Sequence, residues 1–390
     1  GNDVWRVSVA TGAVARLTSD GAGAGAGELT LSPDGRWLSF LRDGDLWLVP
    51  ATGGTPERLT RESVAPVGAV PLGTYFRREV EIGSATWSGP NPAHAWSPDS
   101  RTSAVHHVDR RGVPTSGMPY YLGQAPQMNL VRRGAPGQAN EVRRVALLDV
   151  ASRALRFVPL PDSSRTRIVN FAWSATGTLL IDRESDDAIT RTVHTLTVAS
   201  PAPRLAWRDQ RATRVYNDIH AAWSADGRAI LLTGDLDDRY RVYRVTPGDT
   251  VPVALTPADA DVAGEAVARA ATRSIDFVSN APNPAERHVW RVNERGGTPR
   301  QLTTKPGTHV PVTSPDGRTL ALLHSSDREP TELYLLDVAP GATERRITTS
   351  VGAEFATLPL VTPQYVTVAR GGDSVALRVR LLVPPGLDST

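Results

Sequence analysis

The sequence predicts an all-β fold of the β-propeller type, and three observations support this prediction. A turn of the form Ser-Pro-Asp-Gly-Arg recurs along the chain, a second turn rich in glycine follows it, and strands with alternating apolar residues join the two. Repeats of roughly 40 to 50 residues, each holding about four strands, are typical of propeller blades. We therefore expect four-stranded blades, about seven to eight in number.

The first turn has its clearest copy at Ser32 to Arg36, directly before the strand that begins at Trp37. Proline fixes φ at the first corner, aspartate bonds to its own backbone, and glycine accepts the positive φ that returns the chain antiparallel. Each copy therefore predicts a β-hairpin. Related turns occur at Ser97-Pro98-Asp99, Ser174-Ala175-Thr176-Gly177, Ser224-Ala225-Asp226-Gly227 and Ser314-Pro315-Asp316-Gly317.

The second turn occurs at Thr52 to Pro56 and again at Arg295 to Pro299, each time between two strands of the same unit. Together the two turns predict a partial unit at 3–18 and further units that begin near 29, 93, 168, 219, 265, 308 and 353. A long β-sandwich that reuses a common turn is the alternative. Sandwiches do not repeat the whole register of strands and turns, so the repeat favours the propeller.

Residues 62–145 break the repeat with sequence rich in Gly, Pro and Arg. Long non-repetitive loops on a rigid scaffold often carry binding residues, and a surface excursion without function is the alternative. The only Ala-rich helix candidate, Ala258 to Ala271, has a spacing that also fits a loop followed by a strand. We expect a propeller over 1–355 with an insertion at 62–145, then a linker and a first strand of another domain over 356–390.

Composition excludes several classes of function. The 390 residues carry 43 basic and 41 acidic side chains, and a net charge of +2 leaves no electrostatic footprint for nucleic acid. The absence of cysteine excludes disulfides, thiolate metal sites and a cysteine nucleophile. Neither a His-Glu-x-x-His motif, nor a phosphate-binding loop, nor an apolar run of roughly 18 residues occurs. We expect no metal, no cofactor, no nucleic-acid partner and no membrane span.

The chain also lacks the Gly-x-Ser-x-Gly motif that places a hydrolase nucleophile on a sharp strand-to-helix turn. The nearest sequence is Gly372-Asp373-Ser374-Val375-Ala376, which lacks the final glycine and leads into an alternating strand pattern where a helix is required. We interpret it as a hairpin turn. We therefore expect no catalytic residue in this chain.

Three segments, at residues 74–101, 131–153 and 363–390, resemble the dipeptidyl peptidase IV branch of the prolyl oligopeptidase family of serine peptidases. The first places Tyr75 and glutamates ahead of a Trp-Ser-Pro turn, and the second runs a basic loop with Gly-Pro and Asn into a Leu-Asp-Val strand. The third is similar to the junction between the propeller and an α/β-hydrolase domain.

This resemblance implies an eight-bladed propeller that ends before an α/β-hydrolase domain, whose Ser-Asp-His triad lies beyond Thr390. It further implies removal of N-terminal dipeptides from peptide substrates, a homodimer of the full-length protein, and a periplasmic or secreted location. The alternative function is that of a propeller like the translocation protein TolB, which binds protein partners without catalysis.

The resemblance also implies that two adjacent glutamates bind the free α-amine of the substrate through charge-assisted hydrogen bonds. The matching window, Arg78 to Gly83, keeps Glu81, but Val80 replaces its partner. Glu79 is the candidate substitute, although residues two apart do not project as adjacent ones do. The alternative is that Glu79 and Glu81 are solvated surface charges.

Four arginines flank the second matching segment, namely Arg132, Arg133, Arg143 and Arg144. A guanidinium can hold a substrate carbonyl or carboxylate through paired hydrogen bonds, so Arg132 and Arg133 are candidate substrate-binding residues. A solvated basic edge is the alternative interpretation.

Overall fold

The computed structural model describes residues 3–19, 27–61, 74–76, 92–213, 220–249, 251–369, 376–384 and 386–387. The chain forms two compact units, one of residues 1–234 and 242–254 and the other of residues 235–241 and 255–390. Within the described ranges the regular structure is antiparallel β-sheet with one 3-10 turn, and no helix is long and apolar enough to cross a bilayer.

The first unit begins with a strand pair, β1–β2, and continues with sheets in the orders β3-β4-β5-β6, β13-β12-β9-β7, β14-β15-β16-β17 and β18-β19-β20-β21, all of whose strand residues except Arg241 of β20 belong to this unit. Strand β8 also pairs with β9, and β10–β11 form a separate hairpin. The bounds are β1 (Trp5–Val7), β2 (Val14–Arg16), β3 (Gly27–Leu31), β4 (Trp37–Arg42), β5 (Asp45–Pro50), β6 (Glu57–Arg58), β7 (Thr74–Phe76), β8 (His94–Trp96), β9 (Thr102–Asp109), β10 (Thr115–Tyr120), β11 (Gln127–Arg132), β12 (Val142–Asp149), β13 (Leu155–Phe157), β14 (Thr166–Trp173), β15 (Thr178–Ser185), β16 (Thr190–Thr197), β17 (Arg204–Gln210), β18 (His220–Trp223), β19 (Ile230–Gly234), β20 (Arg241–Val245) and β21 (Val253–Ala254).

The second unit contains two four-stranded sheets in sequential order, β22 to β25 and β26 to β29, and a strand pair, β30–β31. Its elements are β22 (Val262–Arg269), β23 (Ser274–Ser279), β24 (His288–Asn293), β25 (Arg300–Gln301), β26 (Thr308–Thr313), β27 (Thr319–Ser325), β28 (Glu332–Asp337), β29 (Arg345–Arg346), the 3-10 turn at Ala353–Thr357, β30 (Gln364–Ala369) and β31 (Ala376–Leu381).

The predicted propeller is confirmed, because sequential antiparallel sheets of four strands are propeller blades. Sheets begin at Gly27, Thr166, His220, Val262 and Thr308, close to the unit starts that the turns predict. The stretch from Ala258 to Ala271 contains strand β22, so the strand alternative is correct there. The total of eight blades stays a prediction.

The recurrent turn is held by its serine. At the first copy Ser32 Oγ donates to Asp34 Oδ1 at 2.6 Å and accepts from Trp37 N at 3.0 Å, while Arg36 N donates to Asp34 Oδ1 at 3.1 Å. Gly35 supplies the positive φ of 72°. The same serine–aspartate hydrogen bond recurs at Ser97–Asp99, Ser224–Asp226 and Ser314–Asp316.

The core of the first unit lies between consecutive sheets. Alternate residues of β9 and β12 point to opposite faces, as a pleated strand requires. Val105 and Leu148 join a buried cluster with Leu46 of β5, whereas Ala104 and Leu147 join another with residues of β14 to β16. Each of these two interior strands is therefore buried on both faces, and its ends and connecting loops are the parts left to bind ligands.

Candidate functional site

A polar groove of about 1510 Å³ lies in the first unit, beside the base of the β10–β11 hairpin. One wall is the loop from Arg133 to Asn140, and the other is formed by the turns before β14 and after β15. The charged side chains that line the groove are Asp109, Arg111, Arg133, Arg165, Asp186 and Asp187.

The loop from Arg133 to Asn140 folds back on itself at a tight turn. Gln138 N donates to the Ala135 carbonyl and Ala135 N donates to Gln138 Oε1, each at 2.9 Å. A Cβ at Gly134 would lie 2.5 Å from the Ala139 carbonyl oxygen, so the two sides of the loop approach too closely for any other residue. The glycine of the Arg-Gly-Ala-Pro-Gly sequence therefore shapes this wall.

The two candidate arginines of this segment have different positions. Arg133 lines the groove with an exposed side chain, while its backbone N–H donates to Pro114 O at 3.0 Å. Arg132 is half-buried, and its Nη1 donates to the Val113 carbonyl at 2.7 Å. The arrangement leaves Arg133 able to contact a ligand in the groove, whereas Arg132 is directed onto the base of its own hairpin.

Arg143 and Arg144 are engaged in the fold. Arg143 is buried and pairs with Glu141 at 2.8 Å and with Asp186 at 3.8 Å. The guanidinium of Arg144 lies 5.3 Å from the ring centroid of Phe157. Both guanidinium groups therefore make contacts within the fold, and neither arginine lines the groove.

Glu79 and Glu81, the candidate amine-binding residues, lie outside the described residues. The described chain before them ends in β7, where Thr74 pairs with Asp109 and Phe76 pairs with His107. The binding of the substrate α-amine by these two carboxylates stays a prediction.

Two aspartates of the groove, Asp109 and Asp187, have lowered pKa values and are therefore anionic at neutral pH. A hydrogen bond from Arg111, aided by its charge, lowers the pKa of Asp109, and the two side chains form paired bonds of 3.0 and 2.6 Å. A hydrogen bond from the Ser185 hydroxyl is the main cause that lowers the pKa of Asp187. Because Arg111 pairs with Asp109, Arg133 and Arg165 are the two other arginines among the described lining residues that can contact a carbonyl or carboxylate ligand.

Sequence reasoning missed Arg165 and the pair Asp186–Asp187. Ser185 donates to Asp187 Oδ1, and Thr190 N donates to Ser185 Oγ at 2.9 Å, so this is a further copy of the recurrent turn. The copy has neither proline nor glycine, and Ala188 takes the positive φ of 56° in the glycine position. The serine and aspartate two residues apart are the signal that would have found it.

Comparison with known proteins gives a consistent result. A family model described as the dipeptidyl peptidase IV (DPP IV) N-terminal region matches residues 1–331. A probable dipeptidyl-aminopeptidase B and a dipeptidyl-aminopeptidase B of Aspergillus niger are each 24% identical over 333 residues, which is 75% of this chain and 35% of each relative. The chain thus spans about a third of the length of these curated relatives.

Solved structures agree on the fold. Porphyromonas gingivalis dipeptidyl peptidase 4 matches with a TM-score of 0.79 at 20% identity, over 99% of this chain and 54% of that chain. A putative dipeptidyl aminopeptidase IV from Bacteroides ovatus matches with a TM-score of 0.75 at 14% identity, over 99% of this chain and 55% of that chain.

Proposed function

This chain belongs to the family of dipeptidyl peptidase IV N-terminal regions, and from this membership we propose that it is the non-catalytic propeller of a serine exopeptidase that removes dipeptides from peptide N-termini. The family match over residues 1–331 is the observation that carries the proposal. The relatives' names describe peptidase activity, which agrees with it.

In this proposal the chemistry belongs to an α/β-hydrolase domain that follows the propeller. The sequence of this chain has no Gly-x-Ser-x-Gly motif, and the matched relatives are two to three times as long as the region they share with it. The propeller then restricts which peptides reach the nucleophilic serine of that domain, and the region from 356 to 390 connects the two.

Substrate recognition is the second role that we propose for the propeller. Glu81, with Glu79 as its partner, binds the α-ammonium group of the peptide, because charge-assisted hydrogen bonds are strong where bulk water is excluded. Arg133 holds a substrate carbonyl or carboxylate, and its exposed position in the groove supports this role better than the position of Arg132 does. The distance between the ammonium and the nucleophile would fix cleavage after the second residue.

The partners and location follow from the same proposal. The full-length enzyme acts on peptides in the periplasm or outside the cell, and it forms a homodimer. A protein-binding propeller without catalysis is the competing function that the experiment below would reveal.

The experiment compares this chain with the product of the full reading frame. Both are assayed on chromogenic Xaa-Pro and Xaa-Ala substrates, and the full-length protein is treated with a fluorophosphonate that labels reactive serines. We expect cleavage and labelling for the full-length protein and neither for this chain. A full-length protein that cleaves nothing but retains a stable protein partner would contradict the proposal and support a docking propeller.

A further inference from the structure

A second cavity, of about 450 Å³, adjoins the groove in the first unit. It lies over one face of β15, β16 and β17, and the turn from Pro161 to Thr166 closes its side. Arg165, Asp186 and Asp187 line both the groove and this cavity. We call it the Arg183 pocket, after the most buried arginine in its lining.

Arg183 is a buried cation without a bonded counter-ion. Arg183 is only 3% exposed. Its Nη2 donates to the Pro161 carbonyl and to Thr166 Oγ1, the latter at 2.5 Å, and both acceptors are neutral. No carboxylate of the described residues forms an ion pair with it, and its Nε is buried without a hydrogen-bond acceptor. Buried charges in proteins are normally paired, because an unpaired one costs several kcal/mol.

The neighbouring arginine on the opposite face of the same sheet shows what full pairing looks like. Arg191 forms bonds of 2.6 and 2.9 Å with Asp182 and one of 2.9 Å with Glu184. Asp182 and Glu184 flank Arg183 in β15 but point away from it, since successive strand residues alternate between faces. The carboxylates of β15 therefore neutralise Arg191, whereas Arg183 faces the pocket with neutral partners only.

His194 adds a neutral polar group beside Arg183. It pairs with Ile181 across the strands, while Thr192 pairs with Arg183, so the histidine lies diagonally across from the arginine on the same face. The side chain is buried and its Nδ1 has no hydrogen-bond partner. Burial, followed by the charge of Arg183, lowers the pKa of His194 to about 4, so the ring is neutral at pH 7.

The charges around the pocket favour a ligand with one negative charge. The lining contains three arginines and three aspartates, namely Arg165, Arg183, Arg208, Asp162, Asp186 and Asp187. Asp186 already accepts from Asn140 and Asp187 from Ser185 and Ile189. Burial lowers the pKa of Arg183 to about 10, and the charge of Asp162 offsets only part of this effect. The arginines and aspartates of the lining balance in number, so a ligand with one negative charge matches the one guanidinium that has only neutral hydrogen-bond partners, that of Arg183.

We propose that the Arg183 pocket binds a singly charged carboxylate, held by the Arg183 guanidinium, with His194 and Thr192 as neutral hydrogen-bonding groups and Arg208 at the rim. This site goes beyond the amine recognition proposed for the peptidase. Because the pocket continues the groove, the carboxylate can come from a small free acid or from a peptide that lies in the groove.

The test is a titration of the 390-residue chain with sodium acetate at constant ionic strength, with sodium chloride as the replaced salt. The readout is the ring resonance of His194, which is one of only eight histidines and is assigned with a His194→Gln variant. We expect a saturable shift with acetate, about tenfold or more weaker binding in Arg183→Gln, and an unchanged response in Arg204→Gln, an exposed arginine of β17 outside the pocket lining.

Arg208→Gln provides a variant with little risk to folding, because Arg208 is exposed. We expect it to weaken acetate binding by about three- to fivefold, as the loss of one rim charge should. Binding of trialanine with a free C-terminus is then compared with binding of its C-terminal amide. This comparison distinguishes the carboxylate of a peptide from that of a small free acid. No saturable shift, an equal shift with chloride, tighter binding of inorganic phosphate than of acetate, or an unaffected Arg183→Gln would each overturn the proposal.

Discussion

At the scale of single residues, the repeat depends on a serine hydroxyl that closes each hairpin. Ser224 Oγ donates to Asp226 Oδ1 at 2.7 Å and accepts from Ala229 N at 3.0 Å, although Ser224 itself is buried. The hydrogen bond from Ser224 is the main cause that lowers the pKa of Asp226. The Ser224 hydroxyl therefore accepts a hydrogen bond from the buried Ala229 N–H and also holds the Asp226 carboxylate in the turn.

Ser224→Ala should lower the free energy of unfolding by about 1 to 3 kcal/mol, because it leaves the Ala229 N–H buried without an acceptor. The measurement is urea denaturation followed by tryptophan fluorescence. Thr213→Ala, an exposed threonine, is the control and should stay within about 0.5 kcal/mol of the parent. Equal stability of the two variants would contradict the role of the serine.

A second prediction at this scale concerns Glu81 in the full-length enzyme. Glu81→Gln should reduce kcat/KM for dipeptide release by about tenfold or more, because it removes the charge from an ammonium-binding hydrogen bond. If Glu79 is its partner, Glu79→Gln has an effect of similar size. Glu57→Gln, at an exposed ion pair with Arg153, should leave kcat/KM unchanged. Activity that survives in both Glu79→Gln and Glu81→Gln would disprove amine binding by these residues.

At the scale of elements, β14 to β16 form a sheet that buries an ionic network on one face. Arg191 is completely buried and bonds to Asp182 and Glu184, and Glu184 also bonds to Arg167. These four side chains, two basic and two acidic, balance in formal charge. Removing one of these side chains leaves a buried charge without its partner, which destabilises the folded state.

Arg191→Met should therefore lower the free energy of unfolding by about 3 to 5 kcal/mol, the range for breaking a buried ion pair. Thermal and urea unfolding measure the effect, and Arg204→Gln on the exposed edge strand is the matched arginine control. A loss no larger than that of the control would show that the network contributes nothing to stability.

These elements also show what sequence alone can predict. The turns at Ser32, Ser224 and Ser314 are local, so their hairpins follow from adjacent residues. The copy at Ser185 was missed because Ala188 occupies the position where glycine is expected. The groove and the Arg183 pocket were not predictable, since Arg133, Arg165 and Asp186 are separated by more than 20 residues each and meet only through the packing of consecutive sheets. Likewise, the sequence of the pair Arg132–Arg133 does not indicate which guanidinium bonds to the base of the hairpin and which faces the groove.

At the scale of the whole molecule, buried neutral histidines make the fold sensitive to acid. His94 of β8 is buried, and its Nε2 lies 2.7 Å from Ser39 Oγ of the preceding sheet. Burial lowers its pKa from 6.5 to about 4. Because the folded pKa lies below the unfolded value, His94 contributes full stability above pH 6.5, and this contribution falls as the pH is lowered from 6.5 towards 4.

The free energy of unfolding should therefore decrease between pH 7 and pH 5, by on the order of 2 kcal/mol for His94. Urea midpoints at the two pH values measure the change, and His94→Gln, which cannot titrate, should show a smaller difference between them. Equal pH dependence in the variant and the parent would show that His94 is not the titrating group.

The central claim is that this propeller serves an enzyme that measures its substrate from a free N-terminus. The most direct test incubates the full-length protein with two peptides of one sequence, with proline at the second position, of which one is N-acetylated. Mass spectrometry should find the N-terminal dipeptide released from the free peptide and no product from the acetylated one. Equal cleavage of both peptides, or cleavage of neither, would contradict the claim.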